Sequence, residues 1–151
     1  MLGKTHMLAG AVAGYLVSPD WKGIVAGAIV GLLPDIDQPG SLLGRTLYPV
    51  SYIISRKFRH RTFTHSLLFA FIVYAVCASL DPQLGIIAAA GLASHLLGDM
   101  ITGRLLLLWP SRKWIGIRIP RTLYTVMDRG IFFMLIAFSV WYAVSNLLSR
   151  I

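Results

Sequence analysis

The sequence contains no glutamate: all six acidic residues are aspartates, set against fourteen Lys and Arg. Charged residues make up only 13% of the 151 positions, where about 25% is usual. A single cysteine, Cys77, excludes an intramolecular disulfide and with it a disulfide-stapled secreted module. Lying in an apolar run, Cys77 reads as a small buried hydrophobe. What the chain has instead is apolar surface. Hydrophobic residues reach 56%, above a norm of roughly 45–50%, and the mean hydropathy is +0.71. That composition excludes a disordered tail. A water-soluble domain of this length could not hide so much apolar area, so the chain belongs in a membrane. The net charge of +8 would suit a nucleic-acid-binding arm. Basic loops of a membrane protein give the same balance, and the hydropathy decides against nucleic acid as a partner.

Five apolar stretches stand out, at 7–17, 23–34, 66–80, 84–101 and 131–148. A full crossing takes about 20 residues, which the last two approach and the third meets with its flanks. The first two rise only about 18 Å each and read as a short pair, a re-entrant hairpin being one form of it. Gly10 and Gly14, and Gly23, Gly27 and Gly31, recur every four residues, a small-residue stripe suited to close helix contact in lipid. The expected fold is therefore an all-α integral membrane protein of about five membrane helices, with 1–151 as one domain and no repeat or low-complexity tract. Twelve of the fourteen basic residues fall on one side, and only Lys22 and Arg150 on the other. The rich side is expected to be cytoplasmic, with the N-terminus inside and the C-terminus outside. The N-terminus has some signal-peptide character but no small-residue cleavage site.

Both inner loops have an interfacial cast. Leu47, Val50, Ile53 and Ile54 precede the basic run from Arg56 to Arg61, as in an amphipathic helix on anionic lipid headgroups. Trp109 and Trp114 with Arg112, Arg118 and Arg121 fit a headgroup belt. Pro110, Gly116 and Pro120 argue against a long helix there.

All four histidines and three aspartates sit in four short motifs. These are Thr5-His6, Pro34-Asp35-Ile36-Asp37, His60-Arg61-Thr62-Phe63-Thr64-His65-Ser66, and His95 followed four residues later by Asp99. The expected topology brings all seven groups to one membrane face. His95 and Asp99 share a helix face and can grip one ion. An aspartate in the membrane costs on the order of 3 kcal/mol, so a functional role is the default. The spacing of Asp35 and Asp37 between prolines suits an extended loop bracketing a cation. Thr64 or Ser66 is placed to cap the following helix. Taken together, His6, Asp35, Asp37, His60, His65, His95 and Asp99 form a metal site. Seven donors exceed one tetrahedral shell, which favours two divalent ions. With no thiolate nearby, Zn, Mn, Fe and Mg all fit, and the imidazole count favours a transition metal, Zn first.

The runs LLPDIDQPGSLLGR, HRTFTHSLL and SHLLGDMIT followed by LLLLWP, with Thr5-His6 and Met127-Asp128-Arg129, resemble the YdjM-like family of inner-membrane metal-dependent hydrolases across nearly the whole chain. That family reads Pro-Asp-Ile-Asp-His-Pro, His-Arg-Gly-X-Thr-His-Ser and His-X-X-X-Asp-X-X-Thr in order. Gln38 stands at the family's histidine and Thr62 at its glycine. The resemblance implies a membrane-embedded metal-dependent hydrolase. A further distant similarity to zinc-dependent phospholipases C and zinc nucleases implies phosphoester cleavage. Water activated by the ions would attack a phosphoester, or another ester, of a membrane lipid or lipid-linked substrate at the inner membrane's cytoplasmic face. Arg61 would hold the phosphate bidentately, Thr64 lies between the proposed ligands, and Asp128 either supports the ligands or pairs between helices. An ion carrier is the rival reading, and a non-enzymatic membrane protein with a structural metal is a third.

Overall fold

A computed structural model describes residues 1–149; the side chain of Arg121 and all of Arg150, assigned above to the inner and outer sides, lie outside the described residues. Helix α1 (Gly3–Val17) turns back into α2 (Trp21–Leu32), and a 3-10 turn (Leu33–Asp37) follows directly. Short helices α3 (Leu42–Thr46) and α4 (Tyr48–Lys57) lead to a second 3-10 turn (Phe63–His65). Helices α5 (Leu67–Leu80) and α6 (Pro82–Thr102) form a second antiparallel pair, and α7 (Arg121–Leu148) closes the chain.

The five apolar stretches are thus helices, but their lengths are unequal. Among the described residues, only α6, with 21 residues, and α7 are long and apolar enough to cross a membrane. At 15, 12 and 14 residues, α1, α2 and α5 fall short. Their surfaces nevertheless suit a hydrocarbon solvent: α5 has no fully buried residue, and Phe71, Val76, Phe133 and Met134 are all exposed. Apolar exposure on this scale marks a membrane-facing surface.

Glycine spacing explains the hairpin. A Cβ on Gly10 would overlap the Gly27 carbonyl, one on Gly14 would overlap that of Gly23, and the Cα of Gly31 is 2.9 Å from where a Gly10 Cβ would stand. The two backbones therefore touch along the stripe, as the small-residue spacing predicts. Helix α6 packs across this pair. Val30, Ala88 and Leu92 are the buried centre, with Phe69, Val73 and Cys77 against them, so Cys77 is a packing residue. Caps fix the helix starts at the end of the bundle away from the motifs: Asp20 accepts from Gly23 N–H at 2.8 Å, and Asp81 from Leu84 N–H at 2.9 Å. At the near end Ser66, rather than Thr64, caps α5, accepting from Phe69 N–H at 3.2 Å.

Two elements differ from expectation. The stretch 104–116 carries a two-stranded antiparallel ribbon, pairing Arg104 with Gly116 and Leu105 with Ile115. Gly116, at φ 124°, sits against the Gly103 carbonyl where no Cβ fits. Helix α7 begins at Arg121, so Asp128 and Arg129 are helical rather than in a loop. Gly130 is tolerated there because open space surrounds it. Helix α4 is amphipathic as expected, with Val50 and Ile53 exposed beside Arg56 and Lys57. Trp109 packs on Phe63 at 5.1 Å between ring centres, while Trp114 lies beneath the Arg59 guanidinium.

Gly27→Val places a Cβ with two methyl groups against the α1 backbone at Gly10 and Gly14. It should destabilise the protein by ~3 kcal/mol or more, read as a lower thermal midpoint in detergent. Gly40→Ala, at a position with nothing within 4 Å, should leave that midpoint unchanged.

Candidate metal centre

Four chain segments converge at the end of the bundle where α2 stops and α6 finishes. Pro34 starts the 3-10 turn that carries Asp35 and Asp37. A 3-10 helix has about three residues per turn, so residues two apart point to different sides. The pair is therefore not the extended bracket its spacing suggested. Asp35 faces His65 and His95, while Asp37 faces His60, Arg61 and Thr64. Both carboxylates are buried.

The hydrogen bonds fix which ring nitrogens point into the site. Thr64 Oγ1 donates to Asp37 Oδ2 at 2.6 Å. A hydroxyl has one proton to give, so the 3.0 Å contact to His65 Nδ1 must have Nδ1–H as donor. His95 Nδ1 lies 2.7 Å from the Gly31 carbonyl, which only accepts, so it too carries hydrogen. In the neutral rings this leaves His65 Nε2 and His95 Nε2 as lone-pair atoms. Both are buried without any hydrogen-bond partner.

These two nitrogens face the same two oxygens. From His65 Nε2, Asp35 Oδ1 is 3.5 Å away and Asp99 Oδ2 3.4 Å; from His95 Nε2 the distances are 3.8 and 3.9 Å. Such gaps are long for hydrogen bonds. Ligands held at about 2.0–2.2 Å around a tetrahedral ion stand roughly 3.3–3.6 Å apart. Two imidazoles and two carboxylates thus fit one transition-metal ion. A ligand histidine whose other nitrogen is held by the protein is the usual arrangement around such ions.

The remaining donors flank that core. His6 stacks on His95, with ring centres 3.6 Å apart, and its Nε2 lies 3.2 Å from Asp99 Oδ1. His6, His95 and Asp99 form one compact donor group, and Asp35, His60 and His65 a second. His60 is the outermost at 38% exposed, bonded through Nδ1 to Asp37 Oδ1 at 2.7 Å. Six of the seven expected ligands fall in these two groups; Asp37 joins neither and instead holds His60 and Thr64.

Arg61, Thr64 and Asp128 take different places. Arg61 has a left-handed backbone (φ 64°) and donates from Nη2 to Asp99 Oδ1 at 2.9 Å. Its guanidinium passes over Gly103, where any Cβ would collide with Nη1. Thr64 orients His65. Asp128 lies outside the donor groups: it accepts from Leu2 N–H at 2.7 Å and Thr5 Oγ1 at 3.0 Å, tying α7 to the first turn of α1 just before His6. A carboxylate there also suits the helix dipole. The Gly31 carbonyl on His95, the place of Gly103 under Arg61, and Tyr124, which lines the space beside Asp99 and Arg61, were not foreseen at the site. Gly31 contributes only a carbonyl, and Tyr124 lies in what reads as loop, so neither carries a motif signal.

Electrostatics at the two 3-10 turns are strong. Burial pushes the Asp37 carboxyl up, but hydrogen bonds from His60 and His65 outweigh it and hold its pKa well below 3.8; Asp35 is lowered in the same way, through His65 first. Burial pushes His65 down, yet contact with Asp35, Asp37 and Asp99 raises it from 6.5 to about 10. A proton on Nε2 thus occupies the place a cation could take.

Beside the donors opens a cavity of about 590 Å³, lined by Asp35, Asp99 and His60 together with Lys4, Arg45 and Arg61. The site is not sealed.

Without added metal, the stability given by the charged His65 contact should be full below pH 6.5 and lost as pH rises from there through about 10. A thermal midpoint that falls over that range, and falls much less after Zn loading, is the expected result. At the acid end, the contributions of Asp35 and Asp37 should fade as pH drops below about 3.8. Separately, His95→Ala should lower Zn content measured on the purified protein, whereas Asp128→Asn should not.

The profile of the YdjM inner membrane protein family matches residues 1–150. The inner membrane protein YdjM of Escherichia coli (strain K12) is 41% identical over 138 residues, covering 83% of this chain and 69% of that protein. Its namesake in Shigella flexneri matches to the same extent. The uncharacterized protein YvsG of Bacillus subtilis (strain 168) is 38% identical over 128 residues, covering 80% of this chain and 79% of that protein. No solved structure matches the chain.

Proposed function

The chain belongs to the YdjM inner membrane protein family, and from that premise we propose that it is a membrane-bound metal-dependent hydrolase acting on a phosphoester of a lipid or lipid-linked substrate. The observation that carries this reading is the buried His65, His95, Asp35 and Asp99 set opening onto a basic cavity. A purely structural metal closes its shell, whereas a catalytic one keeps access for water and substrate. Access here is supported by the cavity that Asp35 and Asp99 help to line.

The two donor groups suit two divalent ions, Zn first, with Mn, Fe or Mg as further candidates. Bound there, they would lower the pKa of water toward about 7 and polarise a phosphoryl oxygen. The chain's own residues supply the rest. Hydrolysis adds water across a P–O bond and yields a phosphate and an alcohol. Lys4, Arg45 and Arg61 offer positive charge around the phosphate's approach. Arg61 is already oriented by Asp99, so its fork is set before substrate arrives. Thr64 holds His65 in the tautomer that presents Nε2 inward.

In the membrane we place the N-terminus and this site on the cytoplasmic side and the C-terminus outside, following the basic residues. In this arrangement all five apolar helices are membrane-embedded, α6 and α7 crossing fully and α1, α2 and α5 forming shorter spans. An ion carrier would need donors toward both faces. The donors gather at one end, and the aspartates at the other, Asp20 and Asp81, are engaged as helix caps.

His65→Ala and Asp99→Ala should each abolish Zn-dependent hydrolysis across a panel of phosphoester and phospholipid substrates, while both variants still fractionate with membranes. Full activity in either would overturn the assignment.

A further inference from the structure

Helix α7 is fastened to α1 at two places. Near the metal centre, Asp128 holds Leu2 and Thr5. Fourteen residues later, Tyr142 meets Tyr15 edge-on at 6.0 Å. Between these tethers the helices do not close, and the gap is a cleft of two cavities. The nearer, of about 790 Å³, lies between Leu8 and Ala11 of α1, Ala28 and Leu32 of α2, and Phe132 and Ile136 of α7. The farther, of about 250 Å³, shares Leu8, Ala11 and Ile24 with it and ends at Tyr15 and Tyr142. At the other end, Lys4 and Leu42 line both the nearer cavity and the basic cavity at the metal centre. The three spaces are therefore neighbours in one line, polar and basic at the donors and apolar beyond Lys4.

We propose that this cleft seats an acyl chain of an anionic glycerophospholipid whose phosphate lies at Lys4 and Arg45, facing the metal centre. The inference rests on the hydrolase reading and adds the substrate class and its path of approach. Charge complementarity supports the occupant: two cations, Lys4 and Arg45, stand at the head of a cleft whose walls are mostly apolar side chains. Depth supports it as well. From Lys4 to Tyr15 the rise along α1 is roughly 16 Å, about one leaflet of a hydrocarbon core about 30 Å thick. An acyl chain in the leaflet that holds the site fills that depth, whereas a long isoprenoid chain overruns it. The open flank between α1, α2 and α7 lets a lipid enter sideways, without leaving the bilayer.

The test uses the full chain in phosphatidylethanolamine vesicles containing phosphatidylglycerol with a photoreactive diazirine midway along one acyl chain. After irradiation, adducts mapped by mass spectrometry should concentrate on residues 8–11, 24–32 and 132–142 rather than on the outer face of α5. Ala28→Trp and, from the opposite wall, Ile136→Trp should each cut those adducts at least about ten-fold, the effect of displacing about two buried methylenes. Ile72→Trp on α5 should not. Lys4→Gln with Arg45→Gln should reduce labelling by phosphatidylglycerol more than labelling by a phosphatidylcholine carrying the same group. Adducts spread evenly over α5 and α7, or unchanged by both tryptophans, overturn the cleft. Hydrolysis is read separately on the same lipid. Cleft labelling without metal-dependent turnover leaves the cleft standing and overturns the hydrolase reading, and turnover with even labelling does the reverse.

Discussion

Three carboxylates buried around one imidazole set the terms for the rest of this structure. Asp35, Asp37 and Asp99 all lie within 3.5 Å of His65 ring nitrogens, in a place nearly shut off from solvent. Uncompensated charges in such surroundings cost several kcal/mol each. The compensation comes from His65 itself, from the Arg61 guanidinium on Asp99, and from His60 on Asp37. A divalent cation would do the same with better geometry, because His65 Nε2 and His95 Nε2 have no hydrogen-bond partner of their own. The Met1 amino group also pairs with Asp99, so what lacks partners here is the two imidazole nitrogens rather than the carboxylates, and lone pairs facing carboxylates are what a cation would join.

Around this centre the chain is arranged in two layers. The inner layer is the donors. The outer layer holds them: the Gly31 carbonyl on His95, the Thr64 hydroxyl on His65 and Asp37, and the Ser41 hydroxyl on the Asp35 carbonyl at 2.8 Å. The loop after α6 joins in, since Leu106 N–H reaches the Arg61 carbonyl at 3.0 Å and Leu67 N–H the Leu107 carbonyl at 2.9 Å. These bonds give the Arg61 turn a fixed partner despite its left-handed backbone, a conformation that costs about 1–2 kcal/mol for a residue with a side chain. Local strain beside a ligand set is a common mark of a working site.

Much of this was legible in the sequence. The seven donors could be named because histidine is scarce, aspartate outside the caps is equally scarce at four residues, and the apolar stretches return them to one end. The glycine stripes announced the α1–α2 contact because a four-residue repeat maps onto one helix face. What could not be read depended on local geometry. Asp35 and Asp37 look alike in an extended strand, and only the 3-10 turn sends one to each side of His65. Asp128 carries the same one-letter signal as Asp99, yet its partner is the start of α1. Its helix could not be seen to begin early, because 121–130 mixes polar and apolar residues without a clear face. Gly103 matters for the Arg61 guanidinium that lies over it, a constraint that leaves no periodic trace.

The hairpin and the metal centre are one problem rather than two. His6 and His95 stack at 3.6 Å although they belong to different helices. That spacing needs α1, α2 and α6 to approach until backbone meets backbone. The His95 ring reaches the Gly31 carbonyl where a Cβ on Gly31 would stand only 2.9 Å from the α1 backbone, so that a side chain there would hold the helices apart. Gly98 plays the same part on α6, placing its Cα side against His6 and Met1. In a water-soluble protein, larger apolar residues at these positions would drive association by excluding water. In lipid that force is missing, and close packing replaces it. Small residues therefore serve twice here, joining short helices that have little other reason to associate and bringing the imidazoles near enough to share a cation. Helix α7 lies outside that packing and is held to α1 at only a few points. The same economy that draws α1, α2 and α6 together around His6 and His95 therefore leaves the flank toward α7 open, with cavities lined by α1, α2 and α7.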